Sequence, residues 1–288
     1  MAHADNSYYI PHGSHWPLTG SIGLFGIMIG ASIWLNGSGI GPLVLSIGFA
    51  VLLFMIFGWF RLVINESEGG QYNSEVDTSF RMGMGWFIFS EVMFFAAFFG
   101  ALFYARGIAV PWLGGDSNNF FTNELLWNNF TATWPTNGPD DLGGKFETLG
   151  PWGIPALNTA ILLTSGITLT IAHHALQKGS RGILSMFLAA TFILGFIFMG
   201  FQAYEYIHAY QELNLTMESG IYGSTFFLLT GFHGLHVTIG ATMLVVIWLR
   251  CLRGHFKPDH HFAFEAVAWY WHFVDVVWLF LFIFVYWL

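Results

Sequence analysis

A glutamate stands in the middle of a long apolar and aromatic run. The run is WFIFSEVMFFAAFFG at residues 86–100, and Glu91 is its only charged side chain. It lies about ten residues inside a predicted membrane helix, roughly 15 Å along the axis and so near the bilayer midplane. A charge at that depth costs about 2.5–3.5 kcal/mol. Glu91 is therefore either a proton donor or relay, or a neutral carboxyl that only hydrogen-bonds to another helix.

Glu91 needs a hydrogen-bond partner in both cases. A protonated carboxyl still has one donor and several acceptor positions to satisfy. No lysine or arginine lies within the same apolar run. We expect the partner on the sixth or seventh apolar run, and His236 is the first choice.

Histidines are the second group that could carry chemistry. Haem ligation needs one histidine on each of two facing helices at matched depth, and His233 and His272 could be placed so. Adjacent histidines point to different faces of a helix, the CxxCH motif of covalent haem is absent, and membrane histidines commonly hydrogen-bond between helices. We therefore expect no metal or haem ligand from this chain. The histidines in or beside apolar runs are His173, His174, His233, His236, His260, His261 and His272.

His272 and Asp275 form a possible polar pair. They are three residues apart on the last apolar run, so their side chains can meet on one face of a helix. The spacing favours a structural pair over a catalytic one.

Basic residues follow the sixth apolar run. Arg250, Arg253, His255 and Lys257 lie within eight positions. Such a cluster orients a membrane protein, and it could also hold an anionic lipid headgroup.

A further candidate for lipid contact lies at the matching end of the second apolar run. It consists of Trp59, Arg61 and Glu66.

Seven apolar runs must position these residues. The chain of 288 residues is 55% hydrophobic and 9% charged, whereas soluble domains are about a quarter charged. Runs of this length cross a membrane as helices, and the alternating segments of a barrel are absent. The sequence predicts an all-α membrane protein with seven transmembrane helices. The runs are 17–35, 43–60, 82–105, 154–176, 183–204, 222–249 and 264–288.

The nine basic residues predict the orientation of the helices. With seven spans and a cytoplasmic N-terminus, seven basic residues lie in inside loops, and only Arg106 and Lys145 lie outside. This is the positive-inside pattern. We expect a cytoplasmic N-terminus, an extracytoplasmic C-terminus and an extracytoplasmic loop at 107–151. The inside residues are Arg61, Arg81, Lys178, Arg181, Arg250, Arg253 and Lys257.

Short features complete the organisation. Gly26 and Gly30 form a small-residue packing face on the first span. Residues 65–79 read as a polar connection, where the spans could divide into two groups. Cys251 is the single cysteine, so no disulfide or thiolate metal cluster forms within the chain.

A proton-coupled secondary transporter with Glu91 as its coupling carboxyl is an alternative function. A transporter typically shows paired repeats, and none is visible in the sequence.

Motifs along the whole chain resemble subunit III of the haem-copper cytochrome c oxidases. The most specific are TGFHGLHVTIG at 230–240 and HHFAFEAVAWYWHFVDVVWLFLFIFVYWL at 260–288. Further matches are HWPLTG (15–20), FIFSEVMFF (87–95), LNTAILLTSG (157–166), AHHAL (172–176), FQAYEY (201–206) and YGSTFF (222–227).

The resemblance implies a single membrane domain over 1–288. Its sub-bundles, 17–64 and 80–288, would hold spans 1–2 and 3–7 around a lipid-filled cleft. It also implies a non-redox subunit of a proton-pumping terminal oxidase, which oxidises cytochrome c and reduces oxygen to water. Haem and copper would reside in partner subunits I and II. This chain would bind phospholipid and support proton uptake and durability, with no role for nucleic acid.

The resemblance also assigns residues. Glu91 matches the family's carbodiimide-reactive carboxyl. The family's lipid contacts fall on Trp59, Arg61, Glu66, Arg250 and His255. The sequence departs from the family pattern at Leu62, at Gly70-Gln-Tyr-Asn and at Glu218-Ser-Gly-Ile. These departures suggest a bacterial branch, and so a multi-pass protein of the bacterial inner (plasma) membrane.

Overall fold

A computed structural model describes residues 9–11 and 13–288. Within these ranges the chain is helical, with an isolated β-bridge between Lys257 and His260 and no β-strand. The π-helical turn 105–109 joins α3 to α4, and a second π-helical turn, 282–287, follows α9. The helices are α1 (Trp16–Leu35), α2 (Gly41–Glu68), α3 (Ser74–Tyr104), α4 (Val110–Leu113), α5 (Phe120–Leu126), α6 (Ile154–Gln177), α7 (Arg181–Gln211), α8 (Gly220–Leu252) and α9 (Phe262–Leu281).

Seven helical segments in the described part of the chain are long and apolar enough to cross a membrane. This confirms the predicted all-α membrane fold. The third segment is continuous from Ser74 to Leu113, and the seventh runs from Phe262 to Trp287. The other five are α1, α2, α6, α7 and α8.

The polar connection expected at 65–79 is mostly helical in the structure. Helix α2 continues to Glu68 and α3 begins at Ser74, which leaves five residues between them. The start of α3 is capped, because the backbone N–H of Val76 donates to Asn73 Oδ1 over 3.0 Å. Asp77 also pairs with Arg81 one turn later, at 2.8 Å. Helical hydrogen bonding therefore extends beyond the apolar windows.

The chain divides into two compact units, which meet in sequence between Met82 and Gly83. In the first unit, glycines allow α1 and α2 to touch backbone to backbone. A Cβ at Gly30 would lie 2.3 Å from the backbone nitrogen of Leu45, and one at Gly26 would lie 3.1 Å from the Cα of Gly48. The predicted packing face at Gly26 and Gly30 is therefore present.

The second unit, residues 83–288, is built around α9. Trp271 and Trp278 are fully buried there. The indole N–H of Trp271 donates to Ser165 Oγ, and that of Trp278 donates to Thr159 Oγ1, each over 2.9 Å. Gly195 of α7 leaves room for the ring of Trp271. These contacts fix the rotation of α9. The same helix carries Glu265, Tyr270, His272 and Asp275.

Candidate functional site

Glu91 and His236 form a direct contact between α3 and α8. Glu91 Oε2 lies 2.8 Å from His236 Nε2. The expected partner of Glu91 is therefore present. The pair is largely sheltered, with 21% of the Glu91 side chain and 10% of the His236 side chain exposed.

A backbone contact sets the chemistry of this pair. The His236 Nδ1–H donates to the carbonyl oxygen of Phe232, one turn earlier in α8, over 2.6 Å. In a neutral imidazole the other nitrogen, Nε2, then carries a lone pair. A protonated Glu91 can donate to that lone pair, or an imidazolium can donate to the carboxylate. The two forms differ only in the position of one proton.

Aromatic rings enclose the pair. The rings of Phe94 and Phe95 lie 5.8 and 4.9 Å from the His236 ring, and Tyr270 stacks on it at 6.3 Å. Such rings exclude water from the contact and weaken the screening of charge.

His233 and His272, considered above as haem ligands, have other contacts. His233 is 1% exposed and lies against Phe198 and Trp278. Its Nε2–H donates to the carbonyl oxygen of Val274 over 3.2 Å. His272 Nδ1 lies 3.5 Å from Asp275 Oδ2. The His233 ring is thus packed between α7, α8 and α9.

Asp275 is accommodated by a glycine on α6. A Cβ at Gly166 would lie 2.4 Å from Asp275 Oδ2. His272 Nε2 lies 3.5 Å from Thr170 Oγ1, one turn further along α6. His272 and Asp275 therefore contribute polar contacts between α6 and α9.

Glu66 accepts hydrogen bonds from two tyrosines. The hydroxyl of Tyr9 donates to Oε1 and that of Tyr72 donates to Oε2, each over 2.7 Å. Burial and the bond to Glu66 raise the pKa of Tyr72, and the bond to Glu66 raises the pKa of Tyr9. Sequence reasoning missed this arrangement, because Tyr9 is 57 residues from Glu66 and tyrosines are common at membrane surfaces.

The residues predicted to contact lipid differ in exposure. Trp59 and Arg61 are exposed on α2. Arg250 is buried, with its guanidinium carbon 4.5 Å from the centre of the Phe256 ring. His255 is half-buried, and its backbone N–H donates to the Arg250 carbonyl oxygen over 3.2 Å. The end of α8 thus brings both basic residues to one turn.

Sequence reasoning missed a buried carboxyl on α7. Glu205 is 1% exposed, and neither of its carboxyl oxygens has a hydrogen-bond partner among the described residues. The motif FQAYEY contains it, but a glutamate near a helix end gives no signal of burial.

Known proteins match this chain over nearly its whole length. The family model described as cytochrome c oxidase subunit III matches residues 6–288. The chain belongs to this family. Proteins named cytochrome c oxidase subunit 3 from Formosania lacustris, Carassius auratus and Danio rerio are each 42% identical to it over 288 residues. Each alignment covers 100% of this chain and 99% of the relative.

Membership of the subunit III family makes the chain a multi-pass membrane subunit of an oxidoreductase complex. It favours the oxidase function over the transporter alternative. The contact between Glu91 and His236 therefore belongs to a subunit of cytochrome c oxidase.

Proposed function

We propose that this chain is the non-redox subunit of a proton-pumping terminal oxidase, and that it supports proton uptake by the catalytic subunit. The contact between Glu91 and His236 carries the proposal. It provides a carboxyl and an imidazole that share one proton inside an aromatic shell. A chain that only packed against its neighbours would gain nothing from a sheltered ionisable pair, which is costly in a membrane.

The proton on this pair can move without rearrangement of the helices. The bond from His236 to Phe232 holds the ring in place, so only the proton changes position. Part of the Glu91 side chain is exposed, so a partner subunit or lipid can contact it. We assign Glu91 and His236 a role in buffering or relaying protons, while electron transfer takes place elsewhere in the complex.

The partners we propose are oxidase subunits I and II. These subunits would hold haem and copper, receive electrons from cytochrome c and reduce oxygen. The exposed apolar surface of this chain supports such an assembly. In α2 the most apolar window is 6% buried within the chain, so its side chains need lipid or protein around them.

We also propose phospholipid as a bound component of this chain. Arg250 in the last turn of α8 and His255 just beyond it supply basic groups for a phosphate. Trp59 and Arg61 offer an aromatic ring and a cation at the end of α2. Glu66 is used by two tyrosines, so we assign it to anchoring the segment around Tyr9 and not to lipid contact.

The orientation proposed from the basic residues stays a prediction, with the N-terminus in the cytoplasm. The departures at Leu62 and 70–73 favour a bacterial plasma membrane. The relatives reported above are from fish, so they leave that placement as a proposal.

Removal of this subunit tests the proposal. Oxidase prepared with and without the chain should show similar initial rates of cytochrome c oxidation, because no redox centre is removed. The complex without the chain should take up protons more slowly and inactivate after fewer turnovers. Equal proton uptake and equal turnover lifetime in the two preparations would contradict the supporting role.

A further inference from the structure

Two histidines and a glutamate converge where the end of α6 meets the start of α9. His173 Nε2 and His261 Nε2 are 3.3 Å apart. Glu265 Oε1 lies 3.3 Å from His261 Nε2 and 3.7 Å from His173 Nε2. The three atoms thus form a nearly equilateral triangle.

The size of this triangle matches one face of a zinc coordination tetrahedron. Zinc binds histidine nitrogen and carboxylate oxygen at about 2.0–2.2 Å, with tetrahedral angles, so neighbouring ligand atoms lie about 3.3 Å apart. Two of the three measured separations equal this value, and the third exceeds it by only a few tenths of an ångström. The donor set of two imidazoles and one carboxylate is also one that zinc prefers.

The protein orients His261 for metal binding. The Nδ1–H of His261 donates to the carbonyl oxygen of Lys257 over 3.1 Å. This bond places the ring proton on Nδ1, so the lone pair of neutral His261 is on Nε2, the atom that faces the other two groups. A backbone carbonyl behind a ligating histidine is the usual supporting contact in metal sites.

The local fold supports the same arrangement. His261 immediately precedes α9, and Glu265 follows one turn later, so both side chains reach the same side of the helix. Backbone hydrogen bonds in both directions between Lys257 and His260 close the turn that precedes them. His261 is buried, while His173 and Glu265 are partly buried, so a bound cation would be sheltered.

Hydrogen bonding alone accounts for the triangle less well. One proton can bridge His173 and His261, or His261 and Glu265, but it serves only one edge. A cation at equal distance from all three atoms serves every edge at once.

We propose that His173, His261 and Glu265 bind one divalent cation of the zinc class, with water at the fourth position. The cation would join α6 to α9 across 88 residues of sequence. This inference goes beyond the proposed function, because it does not depend on Glu91 or on proton uptake. It also departs from the expectation that the chain supplies no metal ligand. That expectation considered each histidine pair on its own helix, whereas the site takes one member from each pair.

The neighbouring histidines give matched controls. His174 and His260 are exposed and lie next to His173 and His261 in sequence. The detergent-purified complex should be equilibrated with zinc at a free concentration fixed by a chelator. Zinc is then measured by mass spectrometry and expressed per copy of this chain, since other subunits can contribute a constant amount.

The wild-type complex should hold one more zinc per chain than the His261→Ala and Glu265→Gln complexes. His174→Ala and His260→Ala should match the wild type. We expect the apparent affinity of the site variants to fall by roughly tenfold or more. Equal zinc in wild type, His261→Ala and Glu265→Gln would overturn the proposal, and so would an equal loss in the His174→Ala and His260→Ala controls.

A second measurement covers the case in which His261→Ala fails to assemble. Glu265→Gln keeps the size and polarity of the side chain but removes the negative charge. Zinc X-ray absorption of the wild-type complex minus that of Glu265→Gln should show only nitrogen and oxygen ligands near 2.0–2.2 Å. A difference spectrum with sulfur ligands, or no difference, would contradict binding at this site.

Discussion

Glu91 Oε2 lies 2.8 Å from His236 Nε2, across 145 residues of sequence and between α3 and α8. His236 is in turn fixed by its bond to the Phe232 carbonyl oxygen. Together these two contacts make a unit that can carry one proton in either of two positions.

Replacing Glu91 with glutamine tests this unit. The amide of Glu91→Gln can still donate to His236 Nε2, so the helices should stay packed and the complex assembled. The amide cannot release a proton, so the proton-to-electron ratio or the turnover lifetime should fall, while the initial rate of cytochrome c oxidation is retained. Proton release from vesicles that contain the oxidase measures this ratio.

Glu205→Gln provides a control at a second carboxyl in a membrane-spanning helix. Glu205 is also a membrane carboxyl, but no imidazole contacts it among the described residues. We expect Glu205→Gln to leave proton pumping unchanged. Wild-type pumping and lifetime in Glu91→Gln, or the same loss in both variants, would reduce Glu91 to a packing residue.

Chemical modification should distinguish the same two glutamates. A hydrophobic carbodiimide reaches a carboxyl from the lipid phase, and 21% of the Glu91 side chain is exposed. Glu205 is 1% exposed and should react far more slowly. Peptide mass spectrometry of the treated complex should find the adduct on 83–104 and not on Glu205. Preferential labelling of Glu205 would contradict the greater exposure of the Glu91 side chain.

The glycine contacts of α1 predict a stability effect. Gly30→Leu places a side chain against the backbone of Leu45, where even a Cβ would lie 2.3 Å from its nitrogen. Overpacking of this kind costs at least about 1–3 kcal/mol. We expect Gly30→Leu to lower the thermal stability of the detergent-solubilised complex. Gly100→Leu is the control, because a Cβ there meets nothing within 4 Å in the described chain. Equal melting temperatures for the two variants would contradict the packing.

The pair of tyrosines on Glu66 predicts sensitivity to alkaline pH. The pKa of Tyr72 is raised in the folded protein, so this tyrosine stabilises the fold below its ordinary pKa of about 10. That contribution is lost as the pH rises through the higher folded value. Protease cleavage after Tyr9 should therefore increase at strongly alkaline pH in the wild type. In Tyr72→Phe the hydroxyl is absent, so the increase should be smaller; an unchanged pH profile would argue against a role for Tyr72.

Cysteine labelling tests the predicted orientation. Cys251 is buried, so it is a poor probe. In a Cys251→Ala background, Lys178→Cys and Asn118→Cys place exposed thiols on the two predicted sides. An impermeant maleimide should label Asn118→Cys in intact cells and Lys178→Cys only in inverted vesicles. The reverse labelling pattern would show that the helices have the opposite orientation in the membrane.

The seven helices could be predicted from the sequence because each apolar run is within the length range of a membrane span or longer. The ends of α2 and α3 could not, since polar residues such as Asn73 and Asp77 extend helices outside the membrane through capping and ion pairing. Hydropathy does not contain that information.

Some contacts between distant helices could be predicted from the sequence, and others could not. The partner of Glu91 could be anticipated, because a buried carboxyl requires one and few polar residues are available in α8 and α9. The meeting of His173 with His261 and Glu265 could not, since it depends on how α6 crosses α9. The two tyrosines on Glu66 likewise depend on the path of the chain around residues 9 and 72.

Co-purification tests whether this chain is a subunit of a haem-copper oxidase. The tagged chain should be extracted from its membrane in a mild detergent and isolated through the tag. We expect haem-copper subunits to accompany it in stoichiometric amount, with a haem absorption spectrum and cytochrome c oxidation. Isolation of the intact, monodisperse chain without those subunits, from membranes that retain oxidase activity, would contradict it.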